Sequence, residues 1–142
     1  MARLSAFKID SKMVEAGDWV RVGEEYDDLE ILTRGFTDQY TDAHQAKLRK
    51  AARGFGGDTA KLPISVSRAL LVESLVQNVI LDVRNLKDDA GQPVLMPAFV
   101  ALLRDPDYAE LVAACLKAAS RVGLAKVDDL ADAVGNSAPP SA

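Results

Sequence analysis

The chain carries one cysteine, one histidine and one tryptophan in 142 residues, and each scarcity removes a class of explanation. A lone Cys115 closes no internal disulfide, so the fold requires no oxidising compartment. A lone His44, with no Cys or second His at ligand spacing, leaves nothing from which to build a zinc site. There is no basic excess either. The formal charge is −4, which gives no general attraction to nucleic acid or to an anionic membrane. Nor is there a long apolar run. The N-terminal MARLSAFKIDSKMVEAGDW has charges scattered through it and no signal-peptide core. The greasy stretch LMPAFVALL contains Pro97 and stops at Arg104, far short of the ~20 residues a membrane helix needs. The expectation is a protein of the cytoplasm that binds neither nucleic acid nor membrane.

What the chain has is apolar surface arranged for helices. The stretch Ile64–Leu86, ISVSRALLVESLVQNVILDVRNL, is free of Gly and Pro. Ala69, Val72, Val76, Val79, Val83 and Leu86 recur in it at steps of three and four, which predicts one helix over 64–86 with those residues along its buried side. At ~1.5–3 kcal/mol for each fully buried large side chain, that stripe can anchor a small core. Leu75 and Ile80 flank it, while Leu70, Leu71 and Leu81 lie off it. A helix apolar nearly all round is either deeply buried or covered by something else. The surplus leucines are therefore either owned by other helices of the domain or form a face that accepts a partner helix.

On the N-terminal side, residues 1–17 show weak patterning and read as an extended lead-in. Asp18–Val22 and Leu29–Thr33 alternate, and the acidic GEEYDD between them contains Gly23. Two short β-capable runs around a Gly-containing loop read as a hairpin. An isolated hairpin is marginal and must lie on other elements, with Trp19 the expected anchor. Thr37 is placed to cap a helix running to about Arg53, with Asp38 and Asp42 near its start and Lys47, Arg49, Lys50 and Arg53 near its end. That polarity suits the helix macrodipole, and Gly54 follows the end. RGFGGDTAKLP reads as a flexible connector, with Ser65 or Ser67 capping the central helix beyond it.

Beyond the central helix, NLKDDAGQPV is a strong turn signal. A short helix is expected from Pro97 to about Arg104. Asp105-Pro106 then supplies an N-cap and a first-turn proline for a helix whose stripe is Tyr108, Leu111, Val112, Cys115, Ala119 and Val122, ended by Gly123. A last short helix is expected over Val127–Val134. The fold expected is mainly α: one small helical domain over residues 1–136 with an N-terminal β-hairpin packed on it, and a disordered tail over 137–142.

Catalytic readings find no foothold. RGFGGDTAK is Gly-rich, but Lys61 follows Ala60 and precedes Leu62, whereas a phosphate-binding loop needs Gly before the Lys and Ser or Thr after it. Asp88, Asp89 and Gly91 resemble a calcium-loop fragment, yet counting back from Gly91 puts Leu86 and Ala90 at ligand positions. His44 reads as an exposed helical histidine and Cys115 as a small buried hydrophobe. The basic group at Lys47–Arg53 and the acidic loop Glu24–Asp28 read as solvated faces, each able to contribute to a protein contact. No enzyme, cofactor or metal is expected.

The order of features has a counterpart. A Trp-containing strand (GDWVRV), a strand ending in Arg-Gly (LEILTRG) and a polar helix come first. An apolar helix leading into NLKDDAGQPV, a short helix ending LLRDP and a helix of DYAELVAACLKAA type follow. Over residues 5–136 this succession resembles the tail assembly chaperones of long-tailed bacteriophages. The chain departs from their pattern where the turn reads Asp-Ala-Gly and where Val94-Leu95-Met96 follows it.

The resemblance implies a non-enzymatic chaperone of the host bacterial cytoplasm. It would bind the long helical tape measure protein, help tail tube protein assemble around it, and leave as the tube polymerises. On that implication Leu70, Leu71 and Leu81 are the partner-binding residues, with self-association left open. The alternative is a structural tail or head–tail connection subunit retained in the particle.

Overall fold

The computed structural model describes residues 1–123; the helix expected over Val127–Val134 and the tail over 137–142 lie outside them. The protein is mainly helical, with its N-terminal hairpin packed on helices and extended to a three-stranded antiparallel sheet in the order β1-β2-β3. The strands are β1 (Asp18–Arg21), β2 (Glu30–Thr33) and β3 (Ile80–Arg84). The helices, in chain order, are α1 (Ser11–Ala16), α2 (Asp38–Ala52), α3 (Ile64–Asn78), α4 (Met96–Leu103) and α5 (Ala109–Arg121).

The hairpin forms where the alternation predicts, pairing Val20 with Ile31 and Trp19 with Leu32. Its partner was hidden in the stretch read as one long helix. The helix over 64–86 stops at Asn78, and Ile80–Arg84 pairs with β2 instead. Steps of three and four across Val76, Val79 and Val83 fit a helix, but this short apolar run is rich in β-branched residues, which also suit a pleated surface. Periodicity cannot separate the two over so short a run. The decisive term is tertiary: β2 without β3 would leave a row of backbone N–H and C=O groups unpaired, and a two-stranded hairpin is marginal alone.

One face of the sheet carries Val20, Ile31 and Val83, in register across all three strands and all buried. Val22, Leu29 and Ile80 extend that face. Phe99 and Leu103 of α4 and Val112, Cys115, Ala118 and Ala119 of α5 belong to the same core. Trp19 is not the hairpin's apolar anchor. Alternation places it on the opposite face, half-buried, with the Arg84 guanidinium 4.1 Å from its ring centroid. Arg84 also pairs with Glu30 across the strands at 3.1 Å. The core side of β1 belongs to Val20 and Val22 because they share the parity of the buried row.

The register shifts between Leu32 and Thr33, so that Leu32 faces Asp82 while Thr33 faces Ile80. Leu81 is the extra residue of a β-bulge, which breaks the inward-outward alternation locally. Ile80 and Val83 therefore both stay inside, and Leu81 is turned out.

Thr37 caps α2 as expected, its side chain accepting from the Tyr40 N–H. The start of α3 differs from expectation. Neither Ser65 nor Ser67 caps it; the flanking residue is Pro63, whose carbonyl accepts from the Val66 and Ser67 N–H groups. A proline there presets the backbone without a side-chain acceptor. The supposed lead-in of residues 1–17 contains a 3-10 turn at Leu4–Phe7 and then α1, capped by the Asp10 carboxylate on the Met13 N–H. Tyr108, placed on the stripe of the last described helix, is exposed because it sits in the 3-10 turn before α5.

The acidic hairpin loop is tied down onto α5. Glu25 pairs with Lys117 at 3.0 Å, Tyr26 Oη donates to Glu110 at 3.1 Å, and Arg121 donates to the Val22 carbonyl at 2.7 Å.

Candidate partner surface

The three leucines assigned to a partner occupy two different elements. Leu70 and Leu71 lie on α3 and are both half-buried, and Leu71 packs against the core. Ser74 of the same helix bonds His44 of α2 at 2.8 Å. Residues three and four before Ser74 share its side of the helix, so Leu70 and Leu71 fall on the side that α2 covers. Leu81 is in β3 and exposed. Leu81 thus lies on a different element from Leu70 and Leu71 and is more exposed than they are.

Leu81 instead adjoins a different apolar region. A side chain at Gly17 would meet Leu81 Cδ1 at 3.0 Å and the Thr33 carbonyl at 3.2 Å. Gly17, with φ +91°, closes α1 in a backbone conformation that only glycine adopts easily. One turn back, Val14 stands against Gly35, where a Cβ would lie 2.6 Å from Val14 Cγ1. The Gly35 N–H donates to the Val14 carbonyl at 2.9 Å. Two glycines therefore let α1 lie directly on the end of β2 and the bulge of β3.

This close approach makes a groove of about 680 Å³ between α1 and the start of α2. Ile9, Val14 and Phe36 are apolar patches in a lining that is otherwise polar, with charge from Arg34, Glu15 and Asp38. Ile9 and Phe36 are exposed at 50% and 42%, and the arm before α1 adds Leu4 and Phe7, at 88% and 73%. Scattered exposed hydrophobics are ordinary; adjacent ones rimmed by polar groups are the pattern of interaction surfaces. Sequence reading missed Ile9, Val14, Arg34 and Phe36. The available signal was the density of Leu4, Phe7 and Ile9 in a segment too short to bury them.

Arg34 is set firmly. Its N–H donates to the Val79 carbonyl at 2.9 Å, and its own carbonyl accepts from Thr33 Oγ1 at 2.7 Å. Its side-chain Nε is buried, and among the described residues it is the buried side-chain polar atom that has no hydrogen-bond partner.

His44 and Cys115 are both engaged in packing. His44, expected to be exposed, is half-buried: it stacks on Tyr40, with ring centroids 5.7 Å apart, and bonds Ser74. Desolvation, with a smaller contribution from Lys47, holds its pKa below the usual histidine value. Ser74 is fully buried, so this bond satisfies a hydroxyl that burial would otherwise leave unpaired. Cys115 is fully buried as expected, and desolvation pushes its thiol up to about 12. That removes thiolate reactivity at neutral pH.

Among the described residues no three His, Cys, Asp or Glu side chains converge as a metal site, and no described helix is long and apolar enough to cross a membrane. No protein-family model matches the chain, and neither does a curated protein or a solved structure.

Proposed function

We propose that the protein is a non-enzymatic assembly chaperone of the phage-tail type, which binds an apolar helical segment of a tape measure protein and holds it for tail tube protein to assemble around. The observation that carries this reading is the apolar surface beside α1, where Ile9 and Phe36 flank a groove and the bulge turns Leu81 outward. Reversible burial of such surface is sufficient chemistry for a chaperone and needs no catalytic residue. The succession of sequence features that resembles tail assembly chaperones supplies the identity of the partner. A structural subunit retained in the particle is the competing reading.

The test is co-expression of the full chain with an apolar helical fragment of a tape measure protein. Leu81→Ser is expected to abolish co-purification while leaving the circular dichroism spectrum and melting temperature close to those of the parent. Leu70→Ser and Leu71→Ser together are expected to lower the melting temperature as well, because α2 and the core own part of those side chains. Retained co-purification by Leu81→Ser would remove the β3 bulge from the partner surface. Stoichiometric amounts of the chain in purified particles would sink the chaperone reading and establish the structural one.

A further inference from the structure

We propose that the segment Val127–Val134 of this chain docks on the arm before α1, covering Leu4 and Phe7 with its own apolar side chains. The inference does not depend on the chaperone reading, because both sides of the contact belong to one chain.

The arm lacks a cover among the described residues. Every residue from Met1 to Ile9 is exposed, Leu4, Phe7 and Ile9 included. Its backbone hydrogen bonds, from the Ala6 N–H to the Arg3 carbonyl and from the Lys8 N–H to the Ser5 carbonyl, stay within the arm. Yet it is shaped. Leu4 and Phe7 stand three apart in a 3-10 turn, which sets them on one side. With Ser5 and Lys8 they line an almost wholly apolar concavity of about 480 Å³. An ordered turn that buries no apolar surface loses conformational entropy with nothing to offset it. A contact that buries Leu4 and Phe7 supplies the missing term.

The nearest candidate is the chain that follows α5. Gly123, in the left-handed region at φ +81°, lies against the start of α1. A Cβ there would sit 3.0 Å from Val14 Cγ2 and 3.2 Å from the Asp10 carbonyl oxygen. The residues after Gly123 therefore set out beside Asp10, at the foot of the arm. From there to Val127 is four residues, which span at most ~14 Å. A helix of eight residues is ~12 Å long. Leu4 and Phe7 lie within that reach.

The chemistry of the two segments is complementary. Val127, Leu130 and Val134 recur at steps of three and four, an apolar stripe for the short helix expected there. Around that stripe stand Asp128, Asp129 and Asp132, with Lys126 before it. The arm carries Arg3 and Lys8, with Lys12 beyond, against Asp10. None of the three cations forms an ion pair among the described residues. An acidic amphipathic segment suits a basic apolar arm, whereas the arm of a second copy, bearing the same charge, is repelled.

The experiment uses the full chain, labelled at methyl and aromatic positions, and reads nuclear Overhauser contacts. Contacts from the Leu130 and Val134 methyl groups to Leu4 and to the Phe7 ring are expected within one chain. Their absence overturns the proposal. Contacts that arise only between labelled and unlabelled chains in a mixed sample also overturn it, and make a second copy the occupant.

Hydrogen exchange gives an independent reading. Leu130→Ser is expected to speed exchange at the Ala6 and Lys8 amides at least ~5-fold, as the loss of an apolar contact implies, while the α5 amides stay protected as in the parent. Unchanged exchange at Ala6 and Lys8 overturns the proposal. The Overhauser contacts are read on the parent chain and so stand whatever the variant does to folding. Neither measurement bears on the Leu81 co-purification, so this contact and the chaperone reading fail separately.

Discussion

The sheet is flanked by two helices that could hardly be used more differently. Helix α5 spans Ala109–Arg121 and buries Val112, Ala114, Cys115, Ala118 and Ala119. The hairpin loop is fastened to it through Lys117 and Glu110, and Arg121 reaches back to Val22. Helix α1 spans Ser11–Ala16 and buries no residue. It is held by glycine-permitted backbone contact, Val14 against Gly35 and Gly17 against Thr33 and Leu81. Where α5 meets the sheet, side chains consume the available surface. Where α1 meets it, apolar surface is left over at Ile9 and Phe36. A protein that must fold and also bind reversibly needs both arrangements, because surface spent on the core is not available to a partner.

The sharpest test of that division compares two isoleucines. Ile31 lies at the centre of the sheet, fully buried, whereas Ile9 is half exposed on the groove wall. Ile31→Ala is expected to cost about 2–5 kcal/mol, a transfer loss plus a cavity. That is of the same order as the whole stability of a small domain, so the variant should be largely unfolded in mild urea. Ile9→Ala is expected to stay within about 0.5 kcal/mol, as for surface substitutions generally. Urea denaturation of both variants reads the difference directly. Equal costs would mean that the groove wall is part of the core.

The same division explains what could be read from the chain beforehand. The α5 stripe was legible because Val112, Cys115, Ala119 and Val122 keep a helical period over enough turns and Gly123 follows its end, although Asp105-Pro106 starts the 3-10 turn before α5 and not α5 itself. The hairpin was legible from its alternation. Strand β3 was not, since Val79, Ile80 and Val83 satisfy a helical step and a strand equally well, and the choice lies with the edge of β2, some 50 residues upstream. The groove was illegible for a related reason. No local pattern links Ile9, Arg34 and Phe36, which meet only because two glycines let α1 lie on the sheet end.

Of the intended partner residues, Leu81 owes its exposure to a one-residue bulge, which no periodicity encodes. Leu70 and Leu71 were readable as surplus off the stripe, but that α2 stands on their side is a fact of the tertiary fold.

A smaller effect probes the α1 side at its hinge with the sheet. Gly17 has φ +91° and ψ 156°, a region that is almost wholly glycine's. Gly17→Ala is expected to cost about 1–3 kcal/mol through that strain, with the approach to the Thr33 carbonyl adding to it. The perturbation should concentrate on α1 and Leu81. Hydrogen exchange is the discriminating measurement: faster exchange at the Gly17 and Gly35 amides, with the α5 amides protected as in the parent, would show that α1 opens separately from the core. Uniform loss of protection would show the two sides to be one cooperative unit.

The smallest effect concerns the seam between α2 and α3, which lies on neither side of that comparison and so supplies its control. Desolvation, then Lys47, holds the His44 pKa below its value in an unfolded chain. The unfolded state therefore binds the proton more readily than the folded one as pH falls. The contribution of neutral His44 is complete above the unfolded value, about 6.5, and is lost as pH drops from there through the folded pKa. Protonation also turns Nδ1 into an obligatory donor toward Ser74, whose hydroxyl is buried. Carboxylates titrate in the same direction at lower pH, so the reference is His44→Gln, which carries no proton equilibrium. The parent chain is expected to lose more melting temperature than His44→Gln between pH 7.5 and pH 5.5, and the two curves should run parallel above pH 7.5. Hydrogen exchange at pH 5.5 should then show the loss along α2 and α3 and not at α1. An equal loss at the Gly35 amide would mean that the groove is coupled to this seam, through the short link from Phe36 to Tyr40, whose rings lie 5.2 Å apart.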